Sequence, residues 1–173
     1  WAATQNPQAD MKTVAALLGM DESKINVHVT MLGGGFGRKS KPDFSAEAAY
    51  ISMKVGQPIR VQWTREDDIQ HSFYHAVSAQ HIEASLNEKG NIEAYLHRTA
   101  FSPIVSTFQE GATSPAGFEL RLGFTDNPIN SPNLKLENGE APAKTRVGWM
   151  RSVSNIFHAF AIQSFIAEAA HKA

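Results

Sequence analysis

The chain has 173 residues, 42% of them hydrophobic, and a formal charge of −1. This length allows one core of moderate size or two small lobes, and the near-neutral charge removes any general electrostatic case for nucleic acid or an anionic membrane surface. With no cysteine, disulfides, a thiolate-held iron–sulfur cluster and a thiol nucleophile are excluded, and no apolar run reaches the roughly 18 residues of a membrane span.

Asn6 to Gly19 is predicted as a helix. Asn6 suits the N-cap and Pro7 the first helical position. Met11, Val14, Ala15 and Leu18 make one apolar face, and Gly19 can close the helix in a left-handed conformation. Ile25 to Met31 alternates apolar and polar residues, which predicts a half-buried strand.

That segment leads into Leu32-Gly33-Gly34-Gly35-Phe36-Gly37-Arg38-Lys39, the most informative stretch of the chain. Glycine lacks a Cβ, so it tolerates φ > 0 and lets its amide face a ligand. Successive amides in such a turn form a concave anion-binding nest, with Arg38 and Lys39 expected to add charge at its rim. The phosphate-loop spacing fails, because Arg38 stands where the second glycine belongs, and G-x-G-x-x-G fails at the same residue. Nucleotide readings are therefore poor. The plain alternative is a glycine-rich hairpin without a ligand.

A second helix is predicted from about Phe44 to Val55, with Ala48, Ile51, Ser52 and Val55 on one side and Gly56 beyond its end. Ile59 to Trp63 is predicted as a strand feeding the polar turn Thr64-Arg65-Glu66-Asp67-Asp68, whose carboxylates suit a helix N-terminus better than a cation site. Ser78 to Leu86 and Ile92 to Ala100 form a hairpin around Asn87-Glu88-Lys89-Gly90-Asn91. Ser102 to Ala143 is irregular, with Pro103, Pro115, Pro128, Pro132 and Pro142 and a strand at Asn133 to Glu137. An amphipathic helix from Asn155 to His171 follows, with Phe157, Phe160, Ala161, Phe165 and Ala169 on its core face. Helices against a mixed sheet make an α+β fold. His71 and His75 have i, i+4 spacing but no third ligand nearby, so no metal site is assigned; His28 and His81 read as solvated. Ser154 and Ser164 lack a His/Asp arrangement.

Several blocks agree in order: Ala3-Thr4-Gln5-Asn6, the glycine run, Val55-Gly56-Gln57-Pro58-Ile59-Arg60-Val61 with Thr64 to Asp68, and Gly148-Trp149-Met150-Arg151-Ser152-Val153. Together they resemble the molybdenum-cofactor-binding subunit of the xanthine dehydrogenase/aldehyde oxidase family, nearest its isoquinoline 1-oxidoreductase β-subunit type. The resemblance covers most of the chain and is weakest from Ser102 to Ala143. It implies a molybdenum–pterin cofactor, often in the cytosine dinucleotide form, and hydroxylation of an aldehyde or N-heterocycle with oxygen from water. By position it assigns cofactor contacts to Gly34, Gly35, Phe36, Gly37, Arg38 and Arg151. Arg65 matches a substrate-contacting position, although it can also brace its own turn through Glu66 or Asp67. Ser40 stands where purine-oxidising relatives carry an acid, which makes a purine less expected.

The resemblance puts the catalytic glutamate downstream, the oxo-reaching glutamine upstream, and most of the pterin cradle elsewhere, so no catalytic residue is assigned within the chain. Trp1 at the start and a final helix ending at Lys172-Ala173 suggest a piece of a longer protein. Residues 1–173 are thus expected to be a partial cofactor-binding domain: a glycine-loop lobe (1–70), a hairpin (71–101), an irregular stretch (102–145), and an Arg loop with the final helix (146–173). Alone, the piece is expected to be inactive and to hold no cofactor. The expected partners are an iron–sulfur subunit and a small-molecule substrate, with periplasm or bacterial cytoplasm both open. Exposure of the final helix would favour self-association. The competing expectation is a non-catalytic module of the same fold that binds a small anion or another protein.

Overall fold

A computed structural model describes Trp1–Ala173. The chain divides into two units, Trp1–Phe73 with Trp149–Arg151, and Tyr74–Gly148 with Ser152–Ala173.

In the first unit, helix α1 (Pro7–Leu18) is capped as its sequence dictates. The Asn6 side chain accepts from the Ala9 amide, and Gly19 closes the helix at φ 64°. Helix α2 (Asp43–Val55) likewise ends on a left-handed Gly56, and it packs against α1. Thr64 and Asp67 form a reciprocal capping box that starts α3 (Arg65–His71), so the acidic triplet is a helix N-terminus.

Both strands expected in this unit are absent. Residues 25–31 carry only a single parallel bridge, Val29 with Ala2, and Ile59–Trp63 has no ladder at all. Alternation marks a segment that can bury one face, but a strand also needs a neighbouring backbone. His71 ends α3 and His75 lies beyond it, so the two do not share a helical face. No cluster of three or more His, Asp or Glu residues is arranged to hold a metal ion. His28 stacks on Trp1, with ring centroids 5.1 Å apart.

The second unit is built on a three-stranded sheet in the order β1–β2–β3. Strands β1 (Ser78–Leu86) and β2 (Ile92–Phe101) form the expected antiparallel hairpin, and β3 (Asn133–Gly139) joins β2 in parallel, which makes the sheet mixed. The intervening segment holds a short helix, α4 (Gly117–Leu120). Its Glu119 is fully buried, and its carboxylate accepts from the Ile104 amide at 2.6 Å and the Ala116 amide at 2.9 Å. Helix α5 (Asn155–Lys172) covers the inner face of the sheet, where Phe165 meets Tyr95 edge-on. The fold is α+β, as the sequence predicts.

One element faces differently from its expectation. Phe160 is 76% exposed, and the buried positions of α5 are His158 and Ile162. The apolar period placed Phe160 on the core face because it did not count a histidine as core. No helix is long and apolar enough to cross a membrane.

Candidate functional site

The glycine run is an exposed loop in the first unit. Gly33, Phe36 and Gly37 are left-handed, at φ 71°, 49° and 85°. Phe36 is the costly one, since its Cβ crowds the following carbonyl in this region. Its ring is 60% exposed, so burial of the ring does not hold it there. Backbone strain of this kind persists where the surroundings over-determine it.

Those surroundings are supplied by the first residues of the chain. The Ala2 amide donates to His28 O, and the Thr30 amide donates back to Ala2 O, both at 2.9 Å. Further along, the Gln5 amide donates to Lys39 O at 2.9 Å and the Thr4 hydroxyl donates to the same oxygen at 3.2 Å. Residues 2–5 therefore run as a splint from the start of the glycine loop to its end. The Gln5 side chain crosses the loop, and its Oε1 accepts from the Gly37 amide at 2.9 Å.

Within the loop, the Arg38 amide donates to Gly35 O at 3.0 Å and the Ser40 amide to Gly37 O at 3.1 Å. The amides of Gly34, Gly35 and Phe36 donate to no group of the chain. Space also requires glycine here. A Cβ on Gly35 would lie 2.3 Å from Gln5 Oε1, and one on Gly37 would lie 3.0 Å from Trp149 Cβ and 3.3 Å from its backbone.

Arg151 belongs to this neighbourhood, with its guanidinium 5.7 Å from the Phe36 ring centroid. Arg38 does not stand at the rim. Its side chain turns inward, forks onto Asp43 at 2.7 and 2.9 Å, and donates from Nε to Ser72 Oγ at 2.6 Å. Lys39 and Lys41 hold their ammonium groups 3.8 Å over Phe44 and 4.4 Å over Phe73. Burial lowers the pKa of Lys41 against the pull of nearby Asp43. Arg65 is exposed on α3 and pairs with Asp68 at 3.0 Å, so its partner is neither Glu66 nor Asp67.

Residues 1–173 match the model of the molybdopterin cofactor-binding domain family throughout. The chain belongs to that family. It is 30% identical over its whole length to a nicotinate dehydrogenase subunit of Pseudomonas putida, of which it covers 15%. Over 51% of its length it is 35% identical to the isoquinoline 1-oxidoreductase β-subunit of Brevundimonas diminuta, covering 11% of that protein. The crystal structure of quinoline 2-oxidoreductase from Pseudomonas putida 86 shares the fold at a TM-score of 0.76 and 21% identity, over 99% of this chain and 22% of the other. The chain thus spans less than a quarter of each of these proteins.

In this molybdopterin cofactor-binding domain, Gln5 is the residue that reading the sequence missed. A glutamine at the loop was expected only from outside the chain, yet Ala3-Thr4-Gln5-Asn6 brings one against Gly37. The available signal was that block itself, a polar run directly before a helix cap. The second unit holds a further array that spacing could not show. His97 and His158 are fully buried, and Gln80 and Thr99 link them through contacts of 2.7, 2.8 and 3.1 Å.

Proposed function

We propose that this domain forms part of the molybdenum site of a hydroxylase large subunit, with the amides of Gly34, Gly35 and Phe36 facing the cofactor. The observation that carries this reading is the set of unspent donors on a left-handed, exposed loop. Buried amides are paired within a protein, whereas amides on an exposed loop are open to water or to a ligand. Oriented main-chain donors suit oxo and phosphate oxygens, because they stabilise negative charge without reorganising.

The residues present fit the group in three respects. The loop has no Cβ at Gly34 or Gly35 to hold a ligand off its amides. Gln5 spends Oε1 on Gly37, which leaves its Nε2 as a neutral donor beside the same loop. Arg151 adds a cation across the exposed Phe36 ring. When bound, a pterin-held molybdenum supplies two-electron oxidation with oxygen from water. The protein's own part is to orient the group and to keep its oxygens hydrogen-bonded. The cytosine dinucleotide form belongs to the same proposal.

The names of the relatives, nicotinate dehydrogenase and isoquinoline 1-oxidoreductase, support an N-heterocycle as the substrate class, with an aldehyde as the second choice. Arg65 is offered to that substrate, and Arg65→Ala should then raise KM more than it lowers kcat. Electrons would leave through an iron–sulfur partner, because the chain has no thiolate of its own. The domain by itself would be inactive and free of cofactor, since its amides form only one wall.

The test is a metal and pterin assay on the complete protein. Stoichiometric molybdenum, falling several-fold in Gly35→Val, supports the reading. A complete protein that folds and carries no molybdenum overturns it.

A further inference from the structure

Arg38 follows the last glycine of the loop, yet it is only 8% exposed. Burying a guanidinium carries a desolvation penalty that pairing must offset, and here Nε, Nη1 and Nη2 each donate in a particular pattern. Nη1 and Nη2 bind the two oxygens of Asp43, the first residue of α2. Nε binds Ser72, the residue that closes α3. Cζ also lies over two rings, 4.3 Å from the centroid of Phe44 and 5.1 Å from that of Phe73. Meanwhile the Arg38 amide closes the loop onto Gly35 O. One residue therefore ties the outgoing end of the glycine loop to the start of one helix and the end of another.

We propose that Arg38 is a positioning residue: its fork fixes the loop so that the amides of Gly34, Gly35 and Phe36 face outward. The inference rests on the reading of that loop as a cofactor wall. Lysine cannot substitute, because a single ammonium cannot bind both carboxylate oxygens in parallel and also reach Ser72. The inward charge also explains why Arg151, and not Arg38, is the arginine beside Phe36.

The test uses the complete protein with Arg38→Lys, Arg38→Ala and Ser72→Ala. Amide hydrogen exchange is followed at Gly37, Arg38 and Ser40, whose amides are hydrogen-bonded within the loop, and molybdenum per chain is measured by mass spectrometry. Arg38→Lys and Arg38→Ala should speed loop exchange about ten-fold and lower molybdenum retention, with Ser72→Ala about three-fold, while exchange in α1 and in β1–β2 stays at the wild-type rate. Should Arg38→Ala fail to fold, Ser72→Ala keeps the ion pair and still tests the Nε arm. Unchanged loop exchange in Arg38→Lys overturns the inference, and so does a uniform acceleration across α1 and α2, which would mark plain structural support. A wild-type protein without molybdenum sinks the functional reading alone, because the exchange comparison still decides whether Arg38 sets the loop.

Discussion

The Gly37 amide donates to Gln5 Oε1 at 2.9 Å, joining residues 32 positions apart in the sequence. An acceptor there and a donor beside it can be separated by substitution. Gln5→Glu keeps an oxygen for the Gly37 amide and loses Nε2. Gln5→Leu loses both. Gly37 exchange should stay slow in Gln5→Glu and rise roughly five-fold in Gln5→Leu, the worth of about 1 kcal/mol for one such bond. Molybdenum retention in the complete protein should fall in both variants. Full retention in Gln5→Glu would show that the Nε2 donor has no part in the site.

The glycines of the loop differ in what a methyl group would meet, and this gives an ordering. On Gly35 the clash is with the flexible Gln5 side chain, at 2.3 to 2.8 Å. Gly35→Ala should therefore displace Gln5 and reproduce the Gln5→Leu phenotype, and adding Gly35→Ala to Gln5→Ala should cost little more. On Gly37 the neighbours include the Trp149 backbone at 3.3 Å, and φ is +85°. Neither obstacle can rotate away, so Gly37→Ala should cost at least about 1–2 kcal/mol. Gly33, at φ +71° with open space around its Cβ position, should lose only the conformational part. Thermal denaturation of the three alanine variants should rank Gly37 as the most damaging, and equal melting temperatures would refute the ordering.

The caps explain why much of the fold was legible. Asn6, Gly19, Gly56 and the Asn87–Asn91 turn act within a few residues of the backbone they satisfy, so their meaning is local. Asn133 to Glu137 was readable for the same reason, as a short strand between turn residues. What escaped depends on partners distant in sequence. Residues 25–31 alternate like a strand, but only Ala2 comes alongside. Arg38 beside glycine reads as a ligand contact, until Ser72, 34 residues on, accepts its Nε. Gln5 reads as the residue before a cap, until the chain folds it onto Gly37. In α5, hydrophobicity favours Phe160 over His158, although His158 fits the interior because Thr99 and Leu122 satisfy both ring nitrogens.

Glu119 offers a stability test within the second unit. Its two oxygens serve two backbone amides from a fully buried position. Glu119→Ala would strand the Ile104 and Ala116 donors and leave a cavity, at a cost of about 2–4 kcal/mol. For a protein of this size that is a fall in melting temperature of very roughly 5–15 °C. Glu119→Gln keeps one acceptor but turns an NH2 group toward a donor, so it should lie between alanine and wild type. A melting temperature unchanged in Glu119→Ala would mean that these amides find other acceptors.

The buried histidines set a pH dependence whose sign follows from their bonds. Leu122 O can only accept, so His158 carries its proton on Nδ1 at 2.8 Å, and its Nε2 accepts from Thr99. Thr99 in turn accepts from Gln80 Nε2, and Gln80 Oε1 accepts from His97 Nε2. This leaves His97 Nδ1 as a buried atom with no partner. Burial pushes the His97 pKa down to about 4, helped by the neighbouring His158, and burial also lowers that of His158. Both rings are neutral in the folded protein at pH 7, while in the unfolded chain histidine titrates near 6.5. Between pH 6.5 and about 4 the unfolded state binds the extra protons, so stability is complete above 6.5 and drains away as pH falls through that window. The slope from His97 approaches about 1.4 kcal/mol per pH unit, with His158 adding to it. Melting temperature should be flat from pH 8 to 7 and decline below 6.5, and His97→Phe should flatten the decline. Nitrogen-15 spectra should show the Nδ1–H form at His158 and the Nε2–H form at His97, with no protonation of His97 above pH 5. A His97 titration near 6.5 would mean that the ring reaches water and that the array is not closed.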